Sequence, residues 1–217
     1  MNPFPIILSA PSGGGKTSIA RRLLELRDDV GYSVSCTTRA PRPREVDGQD
    51  YHFLTRDEFL RRLQAGEFLE RAEYAGELYG TLRSEVERVL RSGRNVVLDV
   101  EVQGARQVRR AYPPPASVVI FIIPPSARVL IERLRKRRTE TEAQLRRRID
   151  IATQEVETAE REIGTVYDHV VVNDDLDRAV REVSDIVQGR NVAQRAPRDL
   201  AGLLSAFVNE LKTEQRT

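Results

Sequence analysis

The chain carries one cysteine, Cys36. That excludes an internal disulfide and a Cys-rich metal site, and it fits a reducing compartment. Long hydrophobic runs are also missing. The longest, such as "SVVIFII" at 117–123, are far too short to span a bilayer, and residues 1–8 lack the basic flank and cleavage site of a secretory signal. A cytoplasmic protein with no membrane partner is expected. Neither sign of charge dominates: 35 basic against 33 acidic side chains leave a net charge of +2, too balanced to argue for duplex nucleic acid as a partner. Internal repeats and low-complexity segments are absent as well. What remains is the profile of a globular chain of 217 residues, 40% hydrophobic and 31% charged, long enough to bury one sizeable core with or without a small insertion.

Along the chain, apolar runs alternate with helical patterns. "FPIILSA" at 4–10 reads as a short buried strand, and Ile19, Leu23 and Leu26 give residues 17–26 a helical spacing. Residues 30–55 mix β-branched residues with Pro and Gly and read as short strands and loops. Thr55 and Glu58 form a capping box that opens a helix through Phe59, Leu60 and Leu63, stopped by Gly66. A further irregular piece leads into a helix over 82–91, stopped at Gly93. "NVVLDVEV" and "SVVIFII" are continuous apolar runs, as in parallel strands buried on both faces. Ser126 can cap a basic helix reaching about residue 138, and Thr141 with Gln144 can cap the next. In that next helix Leu145, Ile149, Ala152, Val156, Ala159 and Ile163 make one stripe ending near Gly164. "HVVVNDD" is another strand, with Asp174 and Asp175 placed to cap a helix running to Gly189.

This rhythm predicts an α/β fold with a doubly wound parallel sheet. Residues 33–90 interrupt it and read as an inserted lobe, so the core comprises about 5–32 and 94–189. Residues 190–199 look like a linker before a last amphipathic helix over 200–211. Its apolar face, at Leu200, Leu203, Leu204, Phe207 and Leu211, could pack internally or dimerise.

Between the first strand and the first helix lies Ala10, Pro11, Ser12, Gly13, Gly14, Gly15, Lys16 and Thr17, a match to the P-loop pattern GxxxxGK[ST] with alanine in place of the first glycine. Glycines let successive backbone N–H groups converge on phosphate oxygens, and the helix start adds its positive dipole end. Lys16 can reach the outer phosphates, and the Thr17 hydroxyl can ligate magnesium. Alanine can occupy the strand-end conformation required at position 10. A P-loop serves ATPases, GTPases and kinases alike, so the reaction class has to come from elsewhere.

Other segments carry their own chemistry. Arg39 and Arg42 sit in a proline-stiffened loop followed by Tyr51, an arrangement suited to a small phosphate monoester or, more blandly, to a solvated basic surface. Asp99 ends an apolar run, either as the acid beside magnesium or as a strand-end cap. Arg133, Arg137 and Arg148 lie in a basic segment that by itself reads as a solvated helix face or a nucleic-acid patch, and beside a P-loop as a lid over a nucleotide.

Taken in order, "SVSCTTRAPRPREVDGQDYHF", "EFLERAEYAGELYGT", "LDVEVQGA", "RLRKRRTETEAQLRRRI" and "VVNDD" resemble the guanylate kinase family, whose members phosphorylate GMP with ATP. The resemblance covers residues 5–189. It implies a P-loop NTPase-type sheet with an inserted GMP-binding lobe and a helical lid over about 133–150. Its implied activity is magnesium-dependent transfer of the γ-phosphoryl group of ATP to GMP, with dGMP as a related acceptor. By the same resemblance Arg39, Arg42, Tyr51 and Tyr79 hold the acceptor phosphate. Glu70 and Glu101 read guanine N1 and N2, and Ser35 and Thr81 donate to its O6. Arg133, Arg137 and Arg148 meet the transferring phosphoryl group, Asn173 lies on the adenine side, and Asp99 approaches magnesium through water. Two rivals stand beside this reading. One is a guanylate-kinase-like interaction module, which would not need Lys16, Thr17 and the arginines of the lid. The other is a kinase for another nucleotide or a plain P-loop NTPase, which the acceptor pocket disfavours.

Overall fold

The computed structural model describes residues 2–43, 45–74, 76–136, 142–189 and 197–214. In chain order the elements are β1 (Pro5–Ser9), α1 (Lys16–Leu26), β2 (Val30–Tyr32), β3 (Cys36–Thr37), β4 (His52–Phe53), α2 (Arg56–Gln64), β5 (Phe68–Tyr74), β6 (Glu77–Leu82) and α3 (Arg83–Arg91). Then follow β7 (Asn95–Asp99), α4 (Val102–Ala111), β8 (Val118–Ile123), α5 (Ala127–Arg135), α6 (Glu142–Glu162), β9 (His169–Val172), α7 (Leu176–Val187) and α8 (Pro197–Glu214).

Five strands form a parallel sheet in the order β2-β7-β1-β8-β9. Alternation along the strands divides the apolar side chains between two faces. Ile7, Leu98 and Phe121 meet α3, α4, α5, α6 and α8, whereas Ile6, Leu8, Val97, Ile120 and Ile122 meet α1 and α7. Helices cover both faces, which is why the strands read as unbroken apolar runs. The chain leaves β1 for α1 and β2 on one side and later returns to β8 on the other. The carboxyl end of β1 is therefore a topological switch point, where ligands bind in such folds. Asp99 is in register with Leu8 across β7 and β1, which places its carboxylate beside the loop that follows β1.

A second, four-stranded sheet, in the order β4-β3-β6-β5, occupies the interval between β2 and α3. Its own small core holds Cys36, Phe59, Phe68, Leu78 and Leu82, with the rings of Phe59 and Phe68 stacked at 4.4 Å. A bulge shifts the β5–β6 register between Phe68 and Glu70, so that Glu70 stands opposite Thr81. Helix α3, read from sequence as the end of the inserted lobe, buries Val86 and Val89 under the parallel sheet.

Side-chain caps close the starts of α2, α5 and α7. Ser126 accepts from the Val129 N–H and Asp175 from the Arg178 N–H. At Thr55 the hydroxyl accepts from the Glu58 N–H, but the Glu58 carboxylate accepts from Arg62. The cap at Thr141 lies outside the described residues. Helix α4 was not foreseen; Val102, Ala105 and Val108 supply its buried stripe. Helix α8 runs longer than the expected 200–211. It buries Leu200, Leu204, Phe207, Val208 and Leu211 in the cluster shared with α6, so the apolar face is used within the chain. Its Glu210 also accepts from the Ala127 N–H at the start of α5, and its Lys212 pairs with Glu157 of α6. Among the described residues no helix is long and apolar enough to cross a membrane.

Candidate active site

The loop after β1 bends at Gly13 (φ 86°) and Gly15 (φ 97°), left-handed conformations that favour glycine. Gly15 has a second constraint, since a Cβ there would lie 2.2 Å from Asn173 Nδ2. Ala10 is fully buried, and its carbonyl accepts from Lys16 Nζ at 3.5 Å. Lys16 also donates to Glu101 Oε1 at 3.0 Å and lies 3.9 Å from Asp99. Burial alone would lower the ammonium pKa, but Glu101, Asp99 and Glu155 reverse that and hold it above its ordinary value. Thr17 Oγ1 donates to Asp99 Oδ2 at 2.7 Å, and burial raises the Asp99 carboxyl despite Lys16 and Thr17.

Asn173, expected on the adenine side, is buried behind the loop. Its Nδ2 donates to the Gly14 carbonyl at 3.0 Å, and its own carbonyl accepts from Arg133 Nη2 at 3.0 Å. In this arrangement it braces the loop. Arg148 Nη2 donates to Ser12 Oγ at 2.8 Å. Arg137 lies outside the described residues.

A cleft of about 1450 Å³ joins this loop to the four-stranded sheet. Pro11 through Thr17, Asp99, Glu101 and Arg148 line one end, and Ser35, Arg39, Arg42, Tyr51, Glu70 and Tyr79 the other. Glu70 is buried and accepts from Thr81 Oγ1 at 2.6 Å; Thr81 Oγ1 is 3.5 Å from Ser35 Oγ. Burial pushes the Glu70 carboxyl up to about 7, against the opposing bonds from Thr81. Helix α4 admits this carboxylate because residue 104 is glycine: a Cβ there would meet Glu70 Oε2 at 2.4 Å. The Arg39 guanidinium lies 5.5 Å from the centre of the Tyr51 ring, and Tyr51 meets Tyr79 edge to face at 6.1 Å. Arg39 Nη2 donates to both Glu45 oxygens, at 2.9 and 3.0 Å, and Glu45 also accepts from the N–H of the exposed Arg42.

Glu101, expected across the pocket from Glu70 as a second reader of guanine, lines the same cleft, where its Oε1 accepts from Lys16. Glu155, Glu45 and Gly104 were missed. Glu155 falls seven residues after Arg148, nearly two helical turns, and that spacing was the available signal.

The model of the guanylate kinase family matches residues 2–190. The chain is 47% identical to the guanylate kinase of Thermotoga maritima over 182 residues, 84% of each chain. It is 43% identical to that of Nitrosospira multiformis over 86% of this chain and 85% of that one. The crystal structure of guanylate kinase from Anaplasma phagocytophilum superposes with a TM-score of 0.68 at 34% identity, covering 89% of this chain and 87% of that one. With its P-loop, parallel sheet and four-stranded lobe, the chain belongs to the guanylate kinase family.

Proposed function

We propose that the protein transfers the γ-phosphoryl group of ATP to GMP, giving ADP and GDP. The observation that supports this best is the single cleft, with Lys16 and Thr17 at one end and Glu70, Arg39, Arg42, Tyr51 and Tyr79 at the other. In this reading the backbone N–H groups of Gly13 to Thr17 cradle the donor phosphates, and Lys16 offsets charge on the transferring group. Arg39, Arg42, Tyr51 and Tyr79 fix the acceptor phosphate. The Glu70 carboxylate accepts from guanine N1–H and N2–H and from Thr81, while the Ser35 hydroxyl donates to O6. The acceptor is already an oxyanion, so no general base is required and Asp99 is not assigned that role. Catalysis is then placement of donor and acceptor in line, with charge stabilisation.

The Thr17 hydroxyl and Asp99 carboxylate, in mutual contact, are the hard oxygen donors that suit magnesium, and they would hold it, Asp99 through water. When bound, the ion would supply positive charge to the phosphate oxygens. Arg133, Arg137 and Arg148 belong to a lid over about 133–150. The four-stranded sheet is the acceptor lobe, and closure of both parts excludes water.

The test is ADP release from ATP with GMP, AMP, dTMP or no acceptor. GMP alone is expected to stimulate it. Equal stimulation by another nucleotide, ADP release without an acceptor, or no turnover at all would overturn the reading.

A further inference from the structure

Helix α6 reaches the P-loop twice at one residue. Arg148 donates to the Ser12 hydroxyl at 2.8 Å, and Glu155 Oε2 accepts from the Ser12 N–H at 3.2 Å. Glu155 is a largely buried carboxyl on a helix whose other inward residues are mostly apolar. Its second neighbour is Glu101, whose Oε1 accepts from Lys16 Nζ at 3.0 Å. The groups facing Glu155 from neighbouring elements are the Ser12 N–H, Glu101 and Lys16, with the Tyr167 hydroxyl acting at longer range.

We infer that Glu155 is a positioning residue for the P-loop: its carboxyl oxygen accepts from the Ser12 N–H while Arg148 holds the Ser12 hydroxyl, and together they tie helix α6 to the entrance of the loop. The inference rests on the kinase reading only for its kinetic consequence. Its structural content, an ordered donor-phosphate site, concerns ATP binding alone.

The bond needs one oxygen acceptor at the end of the side chain. Glu155→Gln keeps that acceptor, whereas Glu155→Met keeps the bulk and loses the bond. The experiment measures the Kd of a non-hydrolysable ATP analogue by calorimetry, thermal melting as a control of folding, and steady-state kinetics where turnover exists. Glu155→Gln is expected to bind the analogue within about threefold of the wild type. Glu155→Met should bind about tenfold more weakly, since the bond that holds the entrance of the loop is lost. With GMP as acceptor the Met variant should show the same loss in kcat/KM for ATP, with KM for GMP within about twofold. Equal affinity of the Gln and Met variants would leave Glu155 a packing residue and overturn the inference. So would a Gln variant that melts like the wild type but binds as weakly as Met, because the oxygen acceptor to Ser12 would then not be what orders the loop. Failure of the kinase reading would show instead as absence of GMP-stimulated turnover in the wild type, with the binding comparison still decisive.

Discussion

The sharpest test of the acceptor site is the pH dependence of KM for GMP, in the wild type and in Glu70→Gln. Glu70 is buried, has Thr81 as its hydroxyl donor, and has its carboxyl pushed up to about 7 chiefly by desolvation. Guanine presents donors at N1 and N2, so only the carboxylate is complementary. With that pKa the competent fraction rises from roughly one in eleven at pH 6 to roughly ten in eleven at pH 8, and KM for GMP should fall about tenfold over that window. The acceptor phosphate, with its second ionisation near about 6, adds a change of about twofold in the same direction. Glu70→Gln removes the larger dependence and leaves the smaller, so its KM profile should vary by only about twofold. At pH 8 the variant should lose at least about tenfold in kcat/KM for GMP, because an amide N–H faces a guanine donor in a desolvated pocket. AMP turnover should stay equally poor or improve slightly. Stability moves the other way. A carboxyl whose folded pKa is raised contributes stability that is complete below its ordinary 4.5 and is lost as pH rises through about 7. That loss is at most ~3 kcal/mol, so Glu70→Gln should melt higher than the wild type at pH 8. A wild-type KM that is flat from pH 6 to 8, an unchanged slope in the variant, or equal losses with GMP and AMP would refute the reasoning.

Lys16→Ala should cost at least ~10²-fold in turnover, about 3 kcal/mol of charge stabilisation, while GMP binding measured by calorimetry stays near wild type. Gly104→Ala places a Cβ where Glu70 Oε2 now lies, and should raise KM for GMP about tenfold with KM for ATP little changed. Leu204→Ala, at a fully buried position of α8, should destabilise by ~2–5 kcal/mol in denaturant melts. A chain ending near Gly189 should sediment as aggregate or melt far lower, since it exposes the faces of α5 and α6 that α8 covers.

What the sequence disclosed, and what it hid, follows from the range of each interaction. The P-loop, the caps at Ser126 and Asp175 and the parallel strands are local: a few adjacent residues carry the whole signal. Helix α4 was hidden because it begins directly after the apolar run of β7, with Val100 and Val102 reading as a continuation of the strand. The partner of Glu101 was hidden for a different reason. Two acceptors near Lys16, one from the end of β7 and one from the middle of α6, meet only when the sheet and α6 are packed together. Nothing in the spacing of residues 101 and 155 reveals that. The role of α8 was undecidable from its stripe alone, because an apolar face looks the same whether its cover is internal or a second chain.

Two of the cations proposed for phosphate binding share a design: each leans on an internal carboxylate, Lys16 on Glu101 and Arg39 on Glu45. For Lys16 this decides its charge. Buried without such partners, an ammonium would tend to lose its proton, and a neutral amine would offer nothing to a transferring phosphoryl group. Glu101 and Asp99 instead hold it protonated. The guanidinium of Arg39 needs no such help to stay charged, so for it the contact has another consequence, orientation: Glu45 and the Tyr51 ring fix a long side chain that would otherwise have to be ordered on binding. Substrate phosphate then replaces or shares one anion with another rather than meeting a bare cation, which lowers the net gain from charge but also the cost of assembling the site. Truncating Glu45 should therefore raise KM for GMP through lost ordering even though it removes a competing negative charge, and a variant that bound GMP more tightly would show that competition outweighs orientation.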